Sequence, residues 1–493
     1  MIIKNDPEQF QNYLSDASNY KGNADSIYFP ESEDEIVDLL KKFNKENIRV
    51  TVSGNGTGLT GGRVPEGGII ISLEKLNRIL ELDIEKKFVI AQPAVVLKDL
   101  QDFVEEQNLF YPPDPTERNC FIGATVATNA SGAKTFKYGA TRNYVFGLRI
   151  ILSDGEKIEI ERGQYFANEN EANIRTESGK VIPLEIPNYK MPKTKNAAGY
   201  YCKENMDLVD LFIGSEGTLG IISEIKLKLI DLPKKVLSCV AFFPQEENAL
   251  SFIDEARELK QNNSSFSKAR ALDFFDANAL KLLRNDYPNI PILSQAAVWF
   301  EEDSDTDNAD IIENWISLLN KFNCNEDSVW FAFDKIEREK FHEFRHAISL
   351  MVNEFIFQHN FKKVGTDVSV PVTHFRSFYY WMKETVDKEN IDYVVYGHFG
   401  DCNPHLNMLP KNEQEYLKSK QIYVNICKEA VRLNGTISAE HGIGKMKRDY
   451  LITMYGEDNI LQMAKLKLFF DPNKILNVGN IFDEKYLSSA YDS

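Results

Sequence analysis

The chain has 493 residues, 43% of them hydrophobic, and a formal net charge of −17. That length implies several domains, about three by size alone. The charge argues against a nucleic-acid binder, whose phosphates demand a basic face, but leaves an anionic small substrate open, because a local cation or metal cluster overrides net charge.

No apolar run reaches the span of a transmembrane helix. The N-terminal MIIKNDPEQF has an acidic residue and a proline where a signal peptide is apolar. The expected setting is soluble and cytoplasmic, with a peripheral place at a membrane left open. Cys120, Cys202, Cys239, Cys324, Cys402 and Cys427 are scattered without a C-x-x-C, so they read as reduced thiols, with neither a zinc ribbon nor an iron–sulfur cluster evident.

In chain order, residues 31–50 read as a helix capped by Ser32, with Ile36, Leu39, Leu40 and Phe43 on one face. Ile48 to Val52 reads as a strand entering a glycine loop at 54–62. Strands follow at Gly68 to Leu73 and Phe88 to Ala91, then a helix near 95–107. Residues 111–155 are dense in Gly, Ala, Asn and Pro and close on a strand, Val145 to Leu152. The polar stretch 161–180 reads as an exposed insertion. Leu211 to Leu229 is a glycine turn followed by an alternating strand. Pro233 and its lysines mark a boundary. Beyond it, longer amphipathic helices interleave with strands such as Ala296 to Phe300, the acidic tract Glu301 to Asp310 reads as a solvated loop, and a last helix lies near 458–469. The fold class is α+β or α/β.

Gly56, Gly58 and Gly61 satisfy G-x-G-x-x-G, yet GRVPEGG follows, where a nicotinamide-binding Rossmann unit needs a helix. Five glycines in nine residues still permit close backbone approach and a nest of N–H groups, which favours a phosphate site over a mere turn. The small residues of Ile122 to Gly132 suit either a flat ligand or close packing of elements.

Three of the seven histidines fall in YGHFGDCNPHLN, residues 396–407, and in Ser438-Ala439-Glu440-His441-Gly442. Two imidazoles and a carboxylate make a metal shell with a position left for substrate, and an adjacent histidine can act as a base. The alternative is a structural metal or a hydrogen-bonded core cluster. Cys402 is treated as a neighbour rather than a ligand.

Jointly, SGNGTGLTGG (53–62), PPDPTE (112–117), IGATVATNASG (122–132), GATRNYVFGLRIILSDG (139–155), GSEGTLGII (214–222), GHFGDCNPHLN (397–407), SAEHGIGKMKRDYL (438–451) and KLKLFFDPNKILNVG (465–479) resemble the FAD-linked oxidases of the vanillyl-alcohol oxidase/PCMH superfamily. Within it, the likeness is to the D-lactate, D-2-hydroxyglutarate and glycolate dehydrogenase branch. The resemblance implies an α+β fold, with a PCMH-type FAD-binding domain at 1–235, a substrate-cap domain at 236–435 and a returning segment at 436–493. It implies non-covalent FAD, its pyrophosphate on Ser53, Gly54, Asn55, Gly56, Thr57 and Gly58, the remainder against Pro93, Gly123, Ala124, Thr125, Asn129, Gly132, Gly139, Gly217, Gly220 and Ile222.

By the same resemblance His398, His405 and Glu440 hold a divalent metal, usually zinc; His441 takes the substrate hydroxyl proton; Asn407 orients substrate or a ligand; and Arg345 grips the carboxylate, where a solvated helix arginine is the alternative. The implied reaction is oxidation of a D-2-hydroxy acid, D-lactate-like, by hydride transfer to flavin, with electrons leaving to an electron-transfer flavoprotein, a quinone or a cytochrome. An O2-using oxidase and a flavoprotein subunit of a glycolate-oxidase-like complex are the alternatives; a homodimer is left open. The chain departs from the family's pattern in three places: Ser53-Gly54-Asn55-Gly56 replaces Arg-Gly-Gly-Gly, Ala124 replaces a frequent glycine, and Gly365-Thr366-Asp367 replaces Lys-Tyr-Asp. Lys363 is a candidate substitute for the missing lysine.

Overall fold

The computed structural model describes residues 1–261, 269–304 and 308–491. The helix expected near 31–50 spans Glu33–Glu46. Ser32 Oγ accepts from the Glu35 amide at its start, and Asn47 ends it in the left-handed region. Its buried face, Ile36, Leu39, Leu40 and Phe43, packs over Val50, Ile69 and Ile71. Those residues belong to a small sheet in the order Ile2–Lys4, Ser26–Phe29, Ile69–Ser72, Val50–Ser53, whose last two pairs are parallel. A second, antiparallel sheet runs Ile79–Asp83, Phe88–Ala91, Ile221–Lys228, Val145–Ile151, Lys157–Glu161.

The third sheet lies almost wholly beyond Pro233, in the order Val329–Ala332, Lys235–Phe243, Ala296–Ser304, Ala269–Asp276, Tyr393–His398, Asn403–Met408, Val364–Gly365. Its strands carry little polar alternation because both faces are covered. Val240, Phe242 and Trp299 meet the helix Lys335–Gln358 through Phe344, Ile348 and Val352. Cys239, Ala241 and Phe243 face the other side, where the helices Glu246–Gln261 and Val372–Asp387 lie.

Two sequence readings are corrected. The stretch read as an exposed insertion runs into a hairpin, Glu171–Arg175 with Val181–Glu185, whose Ala172, Ile174, Ile182 and Leu184 are buried. The acidic tract is not a solvated loop at its start: Glu301, Glu302 and Asp303 are buried at the end of the strand Ala296–Ser304. Each is paired there: Glu301 with Arg270 Nη2 at 2.7 Å, Glu302 with Trp315 Nε1 at 2.8 Å, and Asp303 with Lys137 Nζ at 2.5 Å. Residues 305–307 of that tract lie outside the described residues. The helix expected last, near 458–469, spans Arg448–Phe470 with a break at Gly456, and a short helix, Lys485–Tyr491, follows it.

The C-terminal segment returns to the first sheet. Val50 N donates to Ile475 O and Asn477 N to Val50 O. Buried Asp471 gathers Lys467 Nζ and the amides of Ile475 and Leu476, while Lys467 also donates to Thr218 O. A buried charge pair with all its partners present fixes this return against the turn at 214–220. Among the described residues no helix is long and apolar enough to cross a membrane.

Candidate active site

The glycine loop leaves the strand Val50–Ser53 and is gripped from behind. Arg63 Nη1 donates to Gly54 O at 2.9 Å and its Nε to Ser15 O at 3.0 Å, while Asp16 Oδ2 accepts from Gly61 N at 2.8 Å. Gly56 has a φ of +79°, and a Cβ there would lie 2.2 Å from Arg63 Cζ, so this position requires glycine. With the carbonyl side held, the amides of Asn55, Gly56, Thr57 and Gly58 have no partner among the described residues. They line a cavity with Pro93, Gly123, Ala124, Gly217, Gly220, Ile222 and His441. Free amides in a glycine nest fit the pyrophosphate of FAD, and the long cavity beyond fits the rest of it.

Of the expected cofactor residues, Gly54, Asn55, Gly56, Thr57, Gly58, Pro93, Gly123, Ala124, Gly217, Gly220 and Ile222 line this cavity; Ser53, Thr125, Asn129, Gly132 and Gly139 do not. Ser53 Oγ turns to Gly54 O and Thr125 Oγ1 caps Ile122 O. Asn129 closes the short helix Ile122–Thr128 in the left-handed region. Gly132 and Gly139 make room for Asp114 O and Asn143. Sequence reasoning missed Asp16, Arg63, Glu216, Asn477 and Asn480, which also line the cavity.

The histidine motif forms a hairpin, Tyr393–His398 and Asn403–Met408, joined through Cys402 at a φ of +56°. The Cys402 thiol is buried and pushed up to about 12 by that burial. Gly397 lets the His405 ring lie over the backbone, since a Cβ there would sit 2.8 Å from His405 Cδ2. His398 Nδ1 meets Asp273 Oδ1 at 2.8 Å and His405 Nδ1 meets Thr366 O at 3.2 Å, so both rings turn Nε2 inward. Glu440 Oε2 lies 3.3 Å from His398 Nε2 and 3.5 Å from His405 Nε2. The three donors cluster within 4.8 Å, and two imidazoles plus one carboxylate, each with an outer partner, fit a divalent ion.

Burial opposes charge on both His398 and Glu440, but their neighbours outweigh it. Asp273 and Glu440 lift His398 to about 9, and His398 and Lys195 hold Glu440 well below the usual carboxylate range. A second set of donors, Asp367, Glu440 and His441, is equally close. Asp367 Oδ2, however, already accepts from Lys447 Nζ at 2.9 Å, Ser438 Oγ at 2.9 Å and His441 N at 3.0 Å. His441 Nδ1 is 3.1 Å from that same oxygen. Asp367 thus holds His441 through Nδ1, and His441 Nε2 has no hydrogen-bond partner among the described residues.

Arg345 is buried and committed: its Nε donates to Asp273 Oδ2 at 2.5 Å and its guanidinium lies 5.2 Å from the Trp299 ring centre. It therefore stands behind His398, linked through Asp273. Asn407 Nδ2 donates to His405 O at 3.3 Å. A Cβ at Gly365 would meet Asn407 Oδ1 at 2.6 Å, so the missing lysine has no room while Asn407 keeps its place. Lys363, the suggested substitute, has no hydrogen bond or ion pair among the described residues, and burial lowers its pKa.

The family described as FAD linked oxidases, C-terminal domain, matches residues 232–481, and an FAD binding domain matches residues 24–161. The chain belongs to the FAD-linked oxidases. Among curated relatives it is 30% identical to the glycolate oxidase subunit GlcD of Bacillus subtilis, over 98% of this chain and 96% of that one. It is 31% identical to a D-lactate dehydrogenase of Anaerostipes hadrus, over 91% of this chain and 88% of that one. In fold it resembles a 4-ethylphenol oxidase from Gulosibacter chungangensis, with a TM-score of 0.67 at 15% identity, covering 98% of this chain and 95% of that one. The FAD-linked oxidase fold is thus α+β with a PCMH-type FAD-binding domain, as the motifs implied.

Proposed function

We propose that this FAD-linked oxidoreductase oxidises a D-2-hydroxy acid, D-lactate-like, to its 2-oxo acid, with a divalent metal held by His398, His405 and Glu440. The observation that carries the reading is the position of His441. It lines the cavity beneath the glycine loop, and its ring centre lies 5.7 Å from that of His405 in the metal-type cluster. FAD held over the glycine loop would supply a hydride acceptor for C2, and a divalent ion held by His398, His405 and Glu440 would supply a Lewis acid for the C2 hydroxyl. His441 Nε2 takes the hydroxyl proton, since Asp367 holds the other ring nitrogen. Asp273 and Thr366 O keep His398 and His405 facing inward. The match to a D-lactate dehydrogenase supports the substrate class. On this reading the electrons pass to a separate acceptor, and the chain divides near residues 235 and 435.

The test is the visible flavin spectrum, taken anaerobically with D- and L-2-hydroxy acids, with and without a chelator. Bleaching by a D-acid that the chelator abolishes supports the proposal; bound flavin that no hydroxy acid bleaches sinks it. The match to GlcD favours a second reading, a subunit of a glycolate-oxidase-like complex. Turnover with an artificial dye by the isolated chain counts against an obligate subunit, and oxygen consumption separates an oxidase from a dehydrogenase.

A further inference from the structure

A second cavity opens beside the histidine cluster, lined in part by Ser131, Thr194, Lys195, Asp401 and Ala439. Lys195 stands between this cavity and Glu440. Its side chain is 5% exposed, and it comes from the irregular stretch between the strand Val181–Glu185 and the helix Val209–Phe212, far in sequence from the histidine motif. It has two carboxylates within reach and does not divide itself evenly. Nζ is 2.5 Å from Glu440 Oε1 but 3.6 Å from Asp401 Oδ2, which has no hydrogen bond. Ser131 Oγ donates to the same Glu440 Oε1 at 3.1 Å.

The two oxygens of Glu440 are therefore unequal. Oε1 receives an ammonium and a hydroxyl, which occupy its lone-pair directions. Oε2 receives neither and points at His398 Nε2 and His405 Nε2. A carboxylate free of such a partner can turn both oxygens to a divalent ion; one tied at Oε1 offers a single oxygen. That difference decides whether a coordination position stays open beside the imidazoles.

We propose that Lys195 is a positioning residue that confines Glu440 to one-oxygen ligation and so keeps a coordination position vacant for substrate. This rests on the metal reading of the cluster given above. Lys195 touches neither substrate nor reacting atoms; it acts through Glu440. Ser131 has the same role in weaker form, and together they make the wall of the second cavity part of the metal centre.

Cobalt(II) is the probe, because its visible bands report coordination number without any turnover. The FAD-loaded protein, stripped of metal and titrated with Co2+, is compared with Lys195→Met, Lys195→Arg and Ser131→Ala. FAD content and thermal unfolding serve as the checks of folding. The native protein is expected to take one equivalent and give strong four-coordinate-type bands. In Lys195→Met the second oxygen joins, and the molar absorption falls roughly twofold or more as coordination number rises. Lys195→Arg keeps a cationic donor and restores the native bands. Ser131→Ala gives a smaller change in the same direction and serves alone if the methionine variant does not fold. A native protein that takes up no Co2+ overturns the metal reading itself. A native protein that does, with bands unchanged in Lys195→Met, or in Ser131→Ala where the former does not fold, overturns the role of Lys195 and leaves the metal reading standing.

Discussion

Asp273 and His398 lie 125 residues apart in sequence and 2.8 Å apart in space, and the other oxygen of Asp273 is held by Arg345. One carboxylate thus fixes an imidazole and neutralises a buried guanidinium. Asp273→Asn keeps the shape but weakens the acceptor on His398 Nδ1 and leaves Arg345 buried without its counter-charge. Loss of an outer partner of a ligand histidine costs about 10- to 100-fold in metal affinity. Competition with a chromophoric chelator measures it. Unchanged affinity means Asp273 has no part in holding the metal.

On the proposed metal reading, His398 makes binding of the ion depend on pH. Its folded-state value is about 9, above the usual histidine value of 6.5. In the metal-free protein its protonation contributes stability that is complete below pH 6.5 and is lost as pH rises through 9. A metal needs the neutral ring, so binding near pH 7 must release this proton. The expected result is an apparent affinity that climbs about tenfold per pH unit up to about pH 9 and then levels. The metal-induced rise in Tm grows over the same window. An affinity flat from pH 6.5 to 9 contradicts a protonated His398.

His441 is separable from the ligands. His441→Gln removes the proposed proton acceptor while leaving His398, His405 and Glu440 in place. Turnover is expected to fall about 10²- to 10⁴-fold, the usual contribution of a positioned base, with FAD and metal content unchanged. A variant that loses metal together with activity would place His441 among the ligands instead.

What the sequence revealed and what it hid follow from the range of the interactions. The cap at Ser32, the glycine loop and the histidine hairpin depend on neighbours a few residues away, and their spacing shows on the page. Asp273 does not. It lies in the strand Ala269–Asp276, beside Leu272, Phe274 and Phe275, and acquires its role only when His398 and Arg345 arrive from distant segments. Glu301 fails for the same reason: beside Glu302 and Asp303 it resembles a solvated run, and its burial is explained by Arg270 and His342, which reach it from other elements. Lys195 sits in a polar stretch with no periodicity at all. The hairpin Glu171–Arg175 and Val181–Glu185 has a period-two burial pattern, but its many polar residues make the stretch read as an exposed insertion.

Glu216 offers the last prediction, because it joins the two halves of the site. Its Oε1 accepts from Ile443 N and its Oε2 from Gly444 N, both at 2.7 Å, in the loop that carries Glu440 and His441. Burial raises its pKa, and the two amides, Lys445 and Lys447 offset only part of that, leaving it near 7. The unfolded value is about 4.5, so between the two the folded protein binds more protons than the unfolded chain. The stability Glu216 contributes is therefore complete below pH 4.5 and is lost as pH rises through 7. Glu216→Gln cannot titrate and removes this slope, while its amide N–H faces one of the two loop amides and gives up that hydrogen bond. The difference in Tm, native minus variant, is expected to shrink steadily from pH 4.5 to 8. Should it stay constant across that range, Glu216 titrates outside it, and the loop carrying Glu440 and His441 is held by a carboxylate that stays ionised throughout.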